Sequence, residues 1–305
     1  IIILKEIKKM NEKRFETMEE FAEAVRAEFE KRIEKSVIVQ KLNKNNGIVL
    51  YGLTVLEDEI NISATIYLEP YYEVYEDTGM EYIVDRLQRV YEENKPEQSF
   101  DISKILDYES IKENLRAKLI NYELNREFLK EVPHRRFLDL AIVAYIALEM
   151  EEEIEGNATI TVKNNLQQTW KVDTEEMIDT ALENIKGDVV VADMSEYVDM
   201  SLFGNTEKLF DIYVITNRLK LHGAVAMLQK DRLKQFSDEL KKETLTILPS
   251  SIHECLIINA EDEPKDIDEL REMVKEVNET VVSDQDILSN NVYIYNRTTD
   301  KITIA

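Results

Sequence analysis

The chain predicts an α+β protein, with an N-terminal helix and antiparallel meander followed by a second unit of mixed helices and strands. Three observations lead there. Phe21, Ala24, Val25, Glu28 and Phe29 stand three and four apart, the spacing of one helix face. Asn45-Asn46-Gly47 separates the apolar runs Val37–Leu42 and Ile48–Leu56, and Asn-Gly between apolar runs is a strong hairpin signal. Finally, strands and helices come in runs, which suits α+β better than a doubly wound sheet.

The first helix is expected from about Thr17 to Glu34, followed by the two runs above and a third strand, Ile60–Leu68. Met80–Asn94 reads as a helix with Ile83, Leu87 and Val90 on one face. Leu115–Tyr122 reads as a strand, and Asn125–Val132 as a short helix stopped by Pro133. Phe137–Leu148 is apolar on both faces; a strand is preferred because Asn157–Val162 can return beside it after the turn around Gly156. Asp173–Ile185 reads as a helix capped by Asp173 or Thr174, with Trp170 as its anchor. Strands are expected at Ile212–Thr216, Ala224–Leu228, Leu245–Leu248 and Cys255–Asn259, and helices at Asp231–Lys242 and Asp266–Val277. Val292–Tyr295 and Ile302–Ile304 form a closing hairpin around Thr299-Asp300. Residues 1–15 are set aside as an extension, since Met10-Asn11-Glu12 reads like a start. The two units are expected at 16–165 and 166–305.

Composition restricts the function classes. The 305 residues are 44% hydrophobic and carry 38 basic against 62 acidic side chains, a net charge of −24. That field repels nucleic-acid backbones and anionic membranes and favours basic partners or plain solubility. No apolar stretch approaches the ~20 residues that span a bilayer, and the single Cys255 precludes an internal disulfide. A cytoplasmic protein with no direct nucleic-acid or membrane partner is expected. With 7 glycines and no glycine-rich phosphate loop, nucleotide chemistry has little sequence to be built from. No cofactor is expected. His134, His222, His253 and Cys255 lack the spacing of a zinc quartet, so no metal is expected either.

Three segments are candidate sites. His134, Arg135 and Arg136 put cations in an acidic chain, and arginine forks match phosphate or carboxylate. Ser250, Ser251, His253 and Glu254 place hydrolase residue types in one loop, although triad members ordinarily come from separate segments. Tyr71 and Tyr72, with Tyr67 and Tyr75 around Pro70, form an aromatic patch suited to a protein-binding face. No residue is assigned as catalytic.

The order of Asn45-Asn46-Gly47, Leu50, Gly52-Leu53, Thr65–Leu68, Asn121-Tyr122-Glu123, Pro133–Leu140, Ile247–Glu254, Asn290 and Val292-Tyr293 resembles a family of bacterial proteins of roughly this length. That family is known only as a domain of unknown function, found in Gram-positive gut bacteria and often near mobile elements. The back half, from Trp170 through the Leu245–Asn259 strand pair, is distantly similar to another uncharacterised cytoplasmic bacterial family. Neither resemblance implies catalytic residues. The reading that follows is a non-catalytic protein-binding or regulatory protein serving a mobile element. The alternatives are a hydrolase or transferase working from loops 133–136 and 249–254, and an acidic antagonist of a DNA-binding protein.

Overall fold

A computed structural model describes residues 15–57, 63–95, 102–148, 158–196, 211–259 and 266–305. The fold is α+β, with antiparallel sheets. The chain divides into two compact units, one running to Lys44 and from Ile48 to Ile102, the other comprising Asn45–Gly47 and Ser103–Ala305. The sequence reading placed a boundary at 165. The division falls earlier because the strands of residues 115–148 pack against Thr174–Glu183 and Gly223–Leu228.

In the first unit, helix α1 (Met18–Ile33) starts at Thr17, whose hydroxyl accepts the Glu20 N–H at 3.2 Å. It ends at Glu34, in the left-handed region at φ 55°. Strands β1 (Val37–Asn43), β2 (Val49–Val55) and β3 (Thr65–Tyr67) form an antiparallel meander in that order. The third strand is shorter than expected, and residues 58–62 lie outside the described residues. Helices α2 (Glu69–Thr78) and α3 (Met80–Asn94) follow. Helix α2 was not anticipated; Pro70 sits in its first turn, where no intrahelical N–H is lost. Phe21, Val25 and Phe29 of α1 share a core with Leu53, Val55, Ile83 and Leu87, each fully buried large side chain contributing about 1.5–3 kcal/mol. Val90, on the same face as Ile83 and Leu87, is only half-buried and lines a groove with Tyr67 and Val74.

The hairpin expected at Asn45-Asn46-Gly47 forms, but its connection is longer than a two-residue turn. Pairing stops at Asn43 with Val49, Lys44 N–H donates to the Ile48 carbonyl at 2.7 Å, and a 3₁₀ turn occupies Asn45–Gly47. Asn46 at φ 59° and Gly47 at φ 73° are both left-handed, which is why this turn takes asparagine and glycine.

In the second unit, α4 (Ile102–Leu106) and α5 (Tyr108–Ile111) precede β4 (Leu115–Asn121). After α6 (Arg126–Leu129), β5 (His134–Phe137) and β6 (Leu140–Leu148) complete the order β4-β6-β5, with β7 (Ala158–Thr161) also pairing with β6. The apolar segment at 140–148 is therefore a strand, buried along most of its length. The turn around Gly156 and the run Glu149–Glu155 lie outside the described residues. Helices α7 (Asn164–Trp170) and α8 (Thr174–Glu183) follow, with Asp173 accepting the Glu175 N–H at 3.2 Å as the cap of α8. Trp170 closes α7 rather than anchoring α8. Its indole N–H donates to the Ile105 carbonyl at 2.7 Å, and its ring stands 5.5 Å from Tyr108.

The remaining strands form a six-stranded antiparallel sheet. They are β8 (Val189–Asp193), β9 (Asp211–Asn217), β10 (Thr244–Pro249), β11 (Cys255–Asn259), β12 (Tyr293–Asn296) and β13 (Lys301–Ile304), in the order β13-β12-β10-β11-β9-β8. Strand β8 was not anticipated. The strand expected at Ala224–Leu228 is instead a 3₁₀ segment, Gly223–Leu228, with Ala224, Val225, Ala226 and Met227 all buried. A short apolar run enclosed on every side has no period to distinguish the two. Helices α9 (Lys230–Leu240) and α10 (Ile267–Thr280) lie close to their expected spans.

Candidate functional site

An open groove of about 560 Å³ lies along β3 in the first unit. Strand β3 ends the sheet order β1-β2-β3, so no strand pairs with its outer edge among the described residues. Ala64, Thr65, Ile66 and Tyr67 form one wall, Pro70, Tyr71 and Val74 of α2 another, and Tyr82, Arg86, Val90 and Asn94 of α3 the third. The last four are spaced by four residues, so one stripe of α3 faces the groove while Ile83, Val84 and Leu87 face the core. Val74 is 41% exposed and Tyr82 48% exposed, high values for large apolar side chains.

The tyrosine patch therefore splits. Tyr71 lines the groove, its phenol pushed up in pKa first by burial while Arg86 pulls it down. Tyr67 also lines it; Lys44 Nζ donates to its hydroxyl and lies 4.4 Å from its ring centre. Tyr72 turns inward, donating to the Phe15 carbonyl at 3.2 Å with its ring 5.1 Å from Phe21, and Tyr75 is buried in the core. Sequence reading passed over Tyr82, Arg86 and Asn94. The available signal was the four-residue recurrence of Tyr82, Arg86, Val90 and Asn94 along the helix.

Both polar segments belong to the second unit and engage their side chains there; the first, expected as a loop, lies in strand β5, paired with the apolar β6. Arg135 bridges Glu175 at 2.5 Å and Asp179 at 2.8 Å, both on α8. Arg136 donates to the Leu138 carbonyl at 3.1 Å and its guanidinium lies 4.4 Å from the Tyr122 ring centre. His134 Nδ1 is 2.9 Å from the Val132 carbonyl. In the other loop, half-buried Ser250 precedes Ser251, whose hydroxyl donates to Glu254 Oε1 at 2.8 Å and accepts the His253 N–H at 2.9 Å. His253 Nδ1 accepts the His222 N–H at 3.2 Å, and its Nε2 lies 3.5 Å from Asp286 Oδ1. The His253 imidazole is thus turned to His222 and Asp286 and not to the Ser251 hydroxyl, the bond that activates a serine nucleophile. No hydrogen bond or ion pair joins the two segments among the described residues.

His222 and His253 stack at 5.7 Å with an interplanar angle of 10°. Burial, then Lys118 and His253, push the His222 pKa down to about 3, so its imidazole is neutral at physiological pH. Its Nδ1 is buried without a hydrogen-bond partner among the described residues. At Gly223, a Cβ would collide with the Thr216 hydroxyl and the His253 carbonyl, which are themselves bonded at 2.7 Å. This explains the glycine beside the histidine pair. No group of three His, Cys, Asp or Glu side chains is arranged for a metal ion among the described residues.

Several of the segments that carried the family resemblance meet in one polar cluster of the second unit. Asn46 and Asn125 exchange bonds of 2.9 Å in both directions, and Asn46 Nδ2 also donates to the Asp284 and Ile287 carbonyls at 2.8 Å. Asn45 Nδ2 donates to the Gln285 carbonyl at 2.7 Å. Asn121 Nδ2 donates to the Leu288 carbonyl at 3.0 Å. The Asp139 carboxylate accepts from Ser289 Oγ at 2.6 Å, Asn291 Nδ2 at 2.9 Å and the Tyr293 hydroxyl at 2.8 Å. Asp286, which faces His253, lies in the segment held by Asn45 and Asn46, and its carbonyl accepts the Ile252 N–H at 2.8 Å. Most of these groups satisfy one another, Asn45 Oδ1 alone of those named being buried without a partner among the described residues, and the cluster reads as a structural lock.

The site thus defines an α+β protein with an open-edged, tyrosine-lined groove and a second unit locked by buried polar bonds. The chain belongs to a family of unknown function (DUF5688), whose profile matches residues 18–297. No curated protein and no solved structure matches it. No helix among the described residues is long and apolar enough to cross a membrane.

Proposed function

We propose that the protein is a non-catalytic binding protein whose groove along β3 receives an extended segment of a partner protein. The carrying observation is the coincidence of a strand edge left unpaired among the described residues with an apolar trough lined by all three residues of that strand. A strand edge supplies main-chain donors and acceptors for an added strand, and flanking pockets supply specificity for alternate side chains. Tyr71, Tyr82 and Val74 provide contact area at low entropic cost. The edge is only three residues long, so the contact is small and belongs with weak, transient interfaces below about 1,200 Å². The setting we propose is the bacterial cytoplasm, in the service of a mobile element, from the family resemblance and the net charge of −24. The engaged side chains of the 133–136 and 249–254 segments add nothing to a hydrolase reading.

The test is selection from a displayed library of random peptides of about ten residues, followed by affinity measurement on synthesised winners. Binding in the micromolar range, about −8 kcal/mol, that weakens on Val74→Gln without a change in melting temperature supports the groove. Failure to select any peptide, or affinities indifferent to Val74→Gln, rejects it.

A further inference from the structure

We infer that the segment taken by the groove carries an Asp or Glu side chain whose carboxylate pairs with Arg86, an inference that rests on the groove reading above. Among the lining residues Arg86 is the only charged one; the rest are apolar, aromatic or small polar side chains. Its side chain is exposed, and it makes no ion pair or hydrogen bond among the described residues. Four other cations of the same unit are paired, although Arg89 on the same helix makes no ion pair among the described residues. Arg26 holds Glu23 and Glu30, Arg32 holds Asp85, Lys35 holds Glu57 and Lys41 holds Glu19. In a chain with 62 acidic against 38 basic side chains, carboxylates are plentiful, yet among the described residues the arginine in the groove is left without one.

Its position suits recognition. Arg86 stands one helical turn from Tyr82 and one from Val90 on the stripe facing the trough, so a ligand meets apolar surface on either side of the charge. A guanidinium presents a planar fork that takes both oxygens of a carboxylate, and apolar surroundings strengthen that pair relative to open water. An extended segment places alternate side chains on one face, so a groove-facing apolar residue and a groove-facing acid can be offered together. The net charge of −24 selects against a run of acids. The ligand is therefore an apolar extended segment with a single Asp or Glu side chain facing the groove, a chain terminus in that place being an outcome that would overturn the assignment.

The experiment uses peptides selected on the full-length protein from the random library, synthesised in three forms: as selected, with the acid changed to its amide, and with an amidated C-terminus. Affinities are read by fluorescence anisotropy on wild type, Arg86→Glu and Val74→Gln, each checked for an unchanged melting temperature. The expected result is an excess of Asp or Glu among the winners. Neutralising the carboxylate should then weaken binding about tenfold or more on wild type, with little effect of the same change on Arg86→Glu. Loss of affinity in the C-terminally amidated form alone overturns the side-chain assignment. Selection repeated on Arg86→Glu should enrich Lys or Arg. Winners without acid preference, or affinities unchanged by Arg86→Glu while Val74→Gln abolishes them, overturn the role of Arg86 and leave the groove standing. Affinities indifferent to Val74→Gln overturn the groove itself.

Discussion

The Tyr293 hydroxyl donates to Asp139 Oδ1 at 2.8 Å, joining residues 154 positions apart in the chain. Tyr293 is fully buried, and burial, then Asp139, drives its phenol well above the usual tyrosine range. The same carboxylate accepts from Ser289 and Asn291. Asp139→Ala leaves three donors without their acceptor and should cost about 3 kcal/mol or more, since each stranded buried group costs roughly 1–3 kcal/mol. Tyr293→Phe, which leaves two of the three bonds, should cost about 1 kcal/mol. Urea unfolding of both single variants and the double variant checks this; additive losses would show that the pair is not coupled.

Asn46 combines a left-handed backbone with side-chain bonds to Asn125, Asp284 and Ile287. Asn46→Gly keeps the backbone conformation and removes the bonds; Asn46→Ala loses both. Asn46→Ala should be the less stable of the two by about 1 kcal/mol. Both should fall below wild type by roughly 2 kcal/mol or more, because carbonyls and Asn125 lose partners. Equal stability of the glycine variant and wild type would remove the side chain from the lock.

His222 sets an acid limit. Its folded pKa, about 3, lies below the ordinary value of 6.5, so between those pH values the unfolded chain binds a proton that the folded chain does not. Stability contributed by the neutral imidazole is present above about pH 6.5 and is lost as pH falls toward 3. The slope approaches about 1.4 kcal/mol per pH unit. Asp286 near His253 and Lys118 near His222 face the pair from other elements. His222→Asn tolerates the left-handed φ of 54° and should flatten the decline. Urea midpoints measured from pH 7 to pH 4 provide the check; an identical slope in the variant would acquit His222.

Cys255 is fully buried, 3.9 Å from the Ala224 carbonyl and 3.8 Å from Met227 Sδ. Burial, then Glu254, pushes its thiol far up, so almost no thiolate forms at neutral pH. Labelling by a thiol reagent should proceed only at the rate of unfolding and become fast in denaturant. Prompt stoichiometric labelling of the native protein would show that the site opens locally.

Local chemistry made much of the fold legible. The first helix was expected from about Thr17, which caps it, and of the two capping candidates for the helix at 174–183, Asp173 and Thr174, it is Asp173 that caps. The strands at 115–121 and 255–259 were legible from their own residues, whereas 140–148, apolar on both faces, was read as a strand only because 157–162 could return beside it. The segment at 224–228 did not, because four consecutive buried residues carry no period, and its 3₁₀ form is set by the strands and helix that enclose it.

The amino-acid sequence by itself determined the α+β class, the acidic charge, most element positions and the requirement for Asn46-Gly47 at a left-handed turn, since these depend on residues within a few positions of one another. Tertiary structure alone decided which polar groups would meet. Asn46 with Ile287, Asp139 with Tyr293 and His222 with His253 are separated by 241, 154 and 31 positions, and no local pattern encodes such pairings. It also decided that Tyr71 faces a groove while Tyr72 faces the core, because adjacent helical residues diverge by about 100° and only the packing of α2 says which direction is inward.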